Sequence, residues 1–407
     1  MKILQINTTV NSGSTGRIAE DIGKVLMENG HESYIAYGRG SGISQSYLIK
    51  VGNQTDIILH GIKTAVLDRH GFGSTTATKK LIDEIELIKP DAIGLHNIHG
   101  YYLNVEILFD YLYKVNIPVV WTLHDCWAFT GHCTYYDSID CEKWKTLCHH
   151  CPKKKFYPTS YGLDQSKKNH LDKQRLFNQL NNLHLITPSR WLSNEVRQSR
   201  LDFQSSHVIH NGIDLEVFKP QDQKFVVKQI NAIHFLGDKK IILGCASIWD
   251  KRKGLDDFIQ LSYLFDENHK IVLIGLNQDQ ISKLPKGILG ISRTESIEEL
   301  AAWYSAADVF VNPTYQDNFP TTNLEALACG TPVITYNTGG SPEAIDEETG
   351  MVVEKGNLTG LKTAIELITA KGKTHYQSLC RVRAEKYFNK NERYLDYLHL
   401  YESLVNG

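Results

Sequence analysis

Two carboxylates near the C-terminal end, Asp317 and Glu325, bracket the run NFPTTNL, and ALACGTPVI follows at once. An ionised carboxylate accepts hydrogen bonds on both oxygens, which suits the paired hydroxyls of a ribose. The segment before them, DVFVNPT (Asp308 to Thr314), reads as a buried strand. Pro320 is a helix-start signal and Gly330 a stop, so a helix is predicted from about Thr321 to Cys329. Both acids then lie beyond the carboxyl end of a strand, with Glu325 one turn inside the helix. Open α/β sheets bind ligands at that edge. Two acids at this spacing also arise by chance; the strand before them and the turn after them give the pair its meaning.

Other charged and polar groups fall at equivalent places. The strand KIILGCAS ends at Ser247, and IWDKRKG follows. Arg252 and Lys253 stand just before Gly254 and a helical pattern, KGLDDFIQLSYLF. Two cations at a helix N-terminus make a seat for a diphosphate, and a solvated basic loop is the plain alternative. In the first half, NSGSTGR places Gly13 and Gly16 in a turn between KILQIN and a helix predicted over Arg17 to Asn29. Backbone N–H groups there can approach an anion with no side chain in the way; a simple tight turn is the alternative. The spacing is not Gly-x-Gly-x-x-Gly, so a hydride-transfer cofactor is not indicated. His124 and Asp125 follow the strand PVVWTL, while His96 and His99 follow AIGL. A histidine at that end of a parallel strand faces the ligand edge.

These residues need a scaffold of alternating strands and helices, and both halves of the chain supply one. KILQIN, SYIAYG, SYLIKVG, AIGLHNI, PVVWTLHD and HLITPS read as strands in the first half. KIILGCAS, KIVLIGL, GILGI, DVFVNPT, PVITYN and GMVVE do so in the second. Such alternation implies parallel sheets covered on both faces. The fold class expected is α/β, with two open Rossmann-like domains and a ligand cleft between them. The length of 407 residues also favours two domains. The segment His207 to Pro220, with its Asn-Gly turn, is the expected linker.

Composition narrows the class. Hydrophobic residues make up 42% and charged residues 22%, as in a globular protein, and the net charge of −2 argues against nucleic acid as a partner. No run approaches the ~20 apolar residues of a membrane span. MKILQINTTV reads as a strand rather than a signal peptide, so a cytoplasmic location is expected, with peripheral membrane contact left open.

Four of the eight cysteines, Cys133, Cys141, Cys148 and Cys151, fall within nineteen residues. The closing CHHC puts two thiols on one tight loop, as tetrahedral zinc requires, with His132, His149 and His150 as spare ligands. A structural zinc in an insertion at 126–158 is the expectation; free thiols and disulfides are the alternatives.

At Asp317 and Glu325 the chain resembles the retaining GT-B glycosyltransferases of family 4, and among them bacterial exopolysaccharide and capsule (colanic-acid-type) transferases. The family carries Glu-x7-Glu here, and this chain has Asp317 in place of the first Glu. The resemblance implies that Glu325 addresses the nucleotide ribose and that Asp317, with Asn318, Phe319 and Pro320, addresses the donor sugar. It implies that Lys253 grips the diphosphate. The family's Arg falls on Ser247, so Arg252 is expected to take over part of its task. It further implies that the Gly13 to Gly16 loop faces the donor phosphate, that His124 touches the sugar, and that His96 and His99 lie on the acceptor side. Base contacts are expected near Gly290 and Ile291. The implied domains are 1–208 on the acceptor side, 209–384 for the nucleotide-sugar, and 385–407 as a helix returning to the first domain. The implied reaction moves a hexose from a UDP- or GDP-sugar to a saccharide or lipid-linked saccharide, with retention and with no cofactor for catalysis. A nucleotide-sugar epimerase and a non-catalytic assembly subunit are the competing readings.

Overall fold

A computed structural model describes residues 1–407. The chain divides into two units, Met1–His210 with Asn391–Gly407, and Asn211–Lys390. In the first, strands Lys2–Asn7, Glu32–Tyr37, Tyr47–Lys50, Ala92–Leu95, Val119–Thr122, Leu183–Thr187 and Ser205–Val208 (β1 to β7) form one sheet. In the second, Lys240–Cys245, His269–Ile274, Ile288–Ile291, Val309–Asn312, Val333–Tyr336 and Gly350–Val353 (β8 to β13) form another.

The sheet orders are β3-β2-β1-β4-β5-β6-β7 and β10-β9-β8-β11-β12-β13, and every strand pair is parallel. Both are the doubly wound order, in which the chain starts at the centre, winds outward, and returns to wind the other way. Each sheet therefore has one switch point, between β1 and β4 and between β8 and β11, where two loops diverge and leave a crevice.

Strand periodicity assigns the core. Leu4 and Ile6 of β1 join one apolar cluster, whereas Ile3, the neighbour of Leu4, joins another. Successive side chains alternate across the pleat, so both sheet faces are buried, as a parallel sheet requires. The face holding Ile3 is covered by the Gly13–Glu28 helix and by Tyr394, Tyr397, Leu398 and Tyr401 of the terminal Lys390–Asn406 helix. Close approach there needs Gly94, since a Cβ at that position would lie 2.4 Å from the Tyr401 hydroxyl.

Several local expectations are corrected. The first helix begins at Gly13, not Arg17, so Gly13 and Gly16 lie in its first turn rather than in a turn before it. An unforeseen helix, Gln54–Leu67, has an Asn53/Asp56 capping box. His207 and Val208 belong to β7 and not to a linker. The helix after Gly254 stops at Leu261, well short of the predicted run. The C-terminal helical run is two helices, Lys373–Phe388 and Lys390–Asn406, broken at Asn389. That break has a cause: Ile213 N–H donates to the Phe388 carbonyl (2.7 Å) and Lys390 N–H to the Ile213 carbonyl (3.1 Å). A strand-like bridge thus replaces helical bonding for one residue. The chain re-enters the first unit after Lys390 instead of at 385. No helix is long and apolar enough to cross a membrane.

Candidate active site

In the second unit the switch-point loops follow β8 and β11. The β8 loop ends in a single turn, Lys251–Lys253, capped by Asp250, whose side chain accepts from the Lys253 N–H. Gly254 then takes φ +73°. A Cβ there would lie 2.3 Å from the Pro313 carbonyl oxygen of the β11 loop. Only glycine satisfies both the left-handed backbone and the close approach. The two loops are further tied by Tyr315 N–H donating to the Arg252 carbonyl at 2.7 Å. Gly254→Ala is therefore expected to destabilise the second unit by about 2 kcal/mol or more, read as a lower urea midpoint. An unchanged midpoint would show that the loops yield freely.

That tie brings together two residues 64 positions apart. Lys253 Nζ lies 2.5 Å from Asp317 Oδ2, with side-chain exposures of only 19% and 15%. The ammonium read as a phosphate ligand and the acid read as a sugar ligand are thus ion-paired. Arg252 is more exposed (37%), with Nε 3.8 Å from an Asp250 carboxylate oxygen. Asn318, Phe319 and Pro320 are buried beside Asp317; Asn318 N–H donates to Asp317 Oδ1 at 3.0 Å.

Glu325 sits in the helix Thr321–Ala328 and is 5% exposed. The Tyr304 hydroxyl donates to its Oε2 at 2.8 Å. Tyr304 is held in turn, because the fully buried Lys373 ammonium donates to the Tyr304 and Ser305 carbonyls and to Thr331 Oγ1. Beneath the helix, Asn312 donates to Asn323, which donates to Ser341. Gly290 and Ile291 lie on the edge strand β10, and the Gly275 N–H donates to the Ile291 carbonyl at 2.9 Å. Two strands, β9 and β8, separate them from the β11 loop.

In the first unit the histidines form a chain. His96 Nε2 meets Gln5 Oε1 at 3.0 Å, and His96 Nδ1 meets His124 Nε2 at 3.1 Å, with the two rings stacked. The Gln5 amide nitrogen donates to the Ala19 carbonyl, so its oxygen faces His96 as an acceptor. His96 therefore carries its proton on Nε2. Burial holds both imidazoles in the neutral form, His96 well below the ordinary range and His124 at about 4. A neutral His96 then accepts on Nδ1 from the His124 Nε2–H, which leaves His124 Nδ1 unprotonated. Beside this chain, His99 Nε2 meets Asp125 Oδ2 at 2.9 Å. Burial alone would raise the Asp125 carboxyl, but the adjacent His99 imidazole outweighs it and holds the group below its usual range.

Gln5, Asp125 and Tyr304 complete these contacts, and sequence reasoning did not count them as site residues. Gln5 had a signal, as an amide flanked on both sides by apolar residues in the strand KILQIN. Tyr304 had none, since it lies on a different helix from Glu325.

Burial also depresses His60 (to about 3), His70 and His170 (to about 4). Groups lowered on folding bind fewer protons in the native state than in the unfolded chain. Stability should then fall as pH drops below the unfolded value near 6.5 towards 4, by up to ~1.4 kcal/mol per pH unit for each histidine. His132 runs the other way: burial would lower it, but its bond to Asp68 raises it. A urea midpoint at pH 5.5 clearly below that at pH 7.5 is expected, and equal midpoints would contradict the neutral assignment.

The chain is similar to known proteins over most of its length. A family described as Glycosyltransferase Family 4 matches residues 15–217, and one described as Glycosyl transferases group 1 matches residues 239–370. The chain is 24% identical over 383 residues to the putative colanic acid biosynthesis glycosyl transferase WcaC of Escherichia coli K12, covering 87% of this chain and 88% of that one. It is 29% identical over 193 residues to the capsular polysaccharide biosynthesis glycosyltransferase CapM of Staphylococcus aureus, covering 45% and 48% of the two chains. Among solved structures, sucrose-phosphate synthase from Thermosynechococcus elongatus superposes with a TM-score of 0.75 at 18% identity, covering 100% of this chain and 99% of that one. Anabaena HepE in complex with UDP-glucose gives 0.69 at 16% identity, covering 98% and 99%. At these identities the structures show a common fold, the GT-B arrangement of two parallel-sheet domains.

Proposed function

Because the chain belongs to the glycosyltransferases of family 4, we propose that it moves a hexose from a UDP- or GDP-sugar to a growing bacterial surface polysaccharide or lipid-linked oligosaccharide, with retention at the anomeric carbon and without a divalent metal. The observation that carries this reading is the Lys253–Asp317 pair at the β8/β11 switch point, where the Asp317 loop leads directly into the helix that holds Glu325. A cation and two acids at one sheet edge match the three parts of a nucleotide-sugar: diphosphate, sugar hydroxyls and ribose diol.

In this reading the bond from the anomeric carbon to the diphosphate oxygen breaks, and the diphosphate leaves with the electron pair. Lys253, helped by Arg252, stabilises the charge that develops there. The acceptor oxygen bonds to the same face of the anomeric carbon, and its proton passes to the leaving phosphate. Glu325 accepts from the ribose and Asp317 from the sugar. His96 and His99 belong to the acceptor side. The similarity to WcaC and CapM supports a surface-polysaccharide acceptor, and the UDP-glucose complex of HepE supports the donor class.

Incubation with a panel of UDP- and GDP-sugars and oligosaccharide acceptors, followed by mass spectrometry and proton NMR of the anomeric signal, tests the proposal. One donor should be consumed, with the product keeping the donor's anomeric configuration. Inversion would overturn the same-face mechanism. Isomerised nucleotide-sugar formed without acceptor would replace the transferase reading by an epimerase.

A further inference from the structure

We propose that Cys133, Cys141, Cys148 and Cys151 hold one structural zinc ion that fixes the insertion beside the His99–Asp125 pair. The four thiols, spread over nineteen residues, line one pocket. Its cavity of about 20 Å³ is the size of a single water or ion. None of the four is joined in a disulfide.

The surroundings are built for bound sulphur. Gly131 N–H donates to Cys148 Sγ at 3.2 Å, the kind of outer contact that orients a thiolate ligand. Gly131 itself is obligatory, because a Cβ there would lie 2.5 Å from the Cys148 Cβ and 2.3 Å from the Ser166 carbonyl. The sulphurs are not preset in a tetrahedron: no three His, Cys, Asp or Glu side chains stand at ligating geometry.

The insertion needs such a staple. Between Cys126 and Pro158 its regular structure amounts to two single turns and the four-residue helix Lys143–Thr146. It is otherwise packed through Phe129, Tyr136 and Trp144. A thiolate set of this kind closes the coordination sphere, so the ion would hold structure and not take part in transfer.

Elemental analysis of the full chain, purified without added chelator, should give about one zinc per chain. Mercurial modification of the thiols should release it, and cobalt exchange should give the ligand-field spectrum of a tetrahedral tetrathiolate. Cys141→Ser should lose most of the metal, whereas Cys245→Ser and Cys380→Ser should retain it. Should Cys141→Ser fail to fold, the cobalt spectrum of the unaltered chain still decides the matter. Zinc-free folded protein with four freely titrating thiols, or a Cys133–Cys151 disulfide by mass spectrometry, would overturn the proposal. None of these readouts depends on transferase activity.

Discussion

Lys253→Ala is expected to lower kcat about 10²–10³-fold, the loss seen when one donor to a developing negative charge is removed. Two features of this chain put the effect at the upper end. In the proposed reading Ser247 falls where the resemblance puts a second cation, and the more exposed Arg252 is shared between Asp250 and the Gln316 carbonyl, so Lys253 carries most of the positive charge at the seat. Removing it also leaves the Asp317 carboxylate, now without its 2.5 Å partner, beside an anionic diphosphate. Repulsion is then added to lost attraction. Asp317→Ala relieves that repulsion, so the double variant should be less impaired than the two single losses multiplied together. Steady-state kinetics on the four proteins measures the coupling. A Lys253→Ala enzyme with near-normal kcat would remove the diphosphate from this loop. With side chains only 19% and 15% exposed, the pair is sheltered, and removing Lys253 leaves a partly buried carboxylate unpaired, so the urea midpoint should fall as well and is measured beside the kinetics.

The architecture was open to reading because the strands are short, apolar and regularly spaced, and a parallel sheet leaves few ways to connect them. The strand-end placement of Asp317, Lys253, His96 and His124 followed from the same logic. What escaped was contact between distant segments. Nothing in KRKG or QDNFP announces that Lys253 and Asp317 pair, since the pairing depends on Gly254 packing against Pro313 in three dimensions. The hydrogen bond from Tyr304 to Glu325 and the Gln5–His96–His124 chain are of the same kind. The helix start at Gly13 was missed for a local reason: glycines and serines disfavour helix, and here tertiary packing of Ile18, Ile22 and Leu26 overrides propensity. The break at Asn389 likewise comes from Ile213, far away in the chain.

Glu325→Ala is expected to weaken nucleotide binding about ten- to a hundredfold, because a charge-assisted hydrogen bond contributes roughly 1.5–3 kcal/mol. The structure adds a complication that decides which variants are informative. Glu325 is buried, and the Tyr304 hydroxyl donates to one of its oxygens. Truncation to Ala therefore takes the charged acceptor from a buried hydroxyl it shares with the Cys245 thiol, at a cost of about 1–3 kcal/mol in stability. A binding loss could then reflect a disturbed helix instead of a lost ligand contact. Glu325→Gln separates the two: its amide oxygen still accepts from Tyr304, but the charge is gone and the atom facing the ligand becomes a donor. It should keep the thermal midpoint while losing most of the affinity. Tyr304→Phe tests orientation alone. It removes the bond that fixes the carboxylate and should weaken nucleotide binding by only a few-fold, roughly one neutral hydrogen bond's worth. Calorimetric titration with UDP and GDP reads all three. If Glu325→Gln binds as tightly as the unaltered chain, the carboxylate is there for Tyr304 and not for a ribose, and the nucleotide must be held elsewhere on the sheet edge.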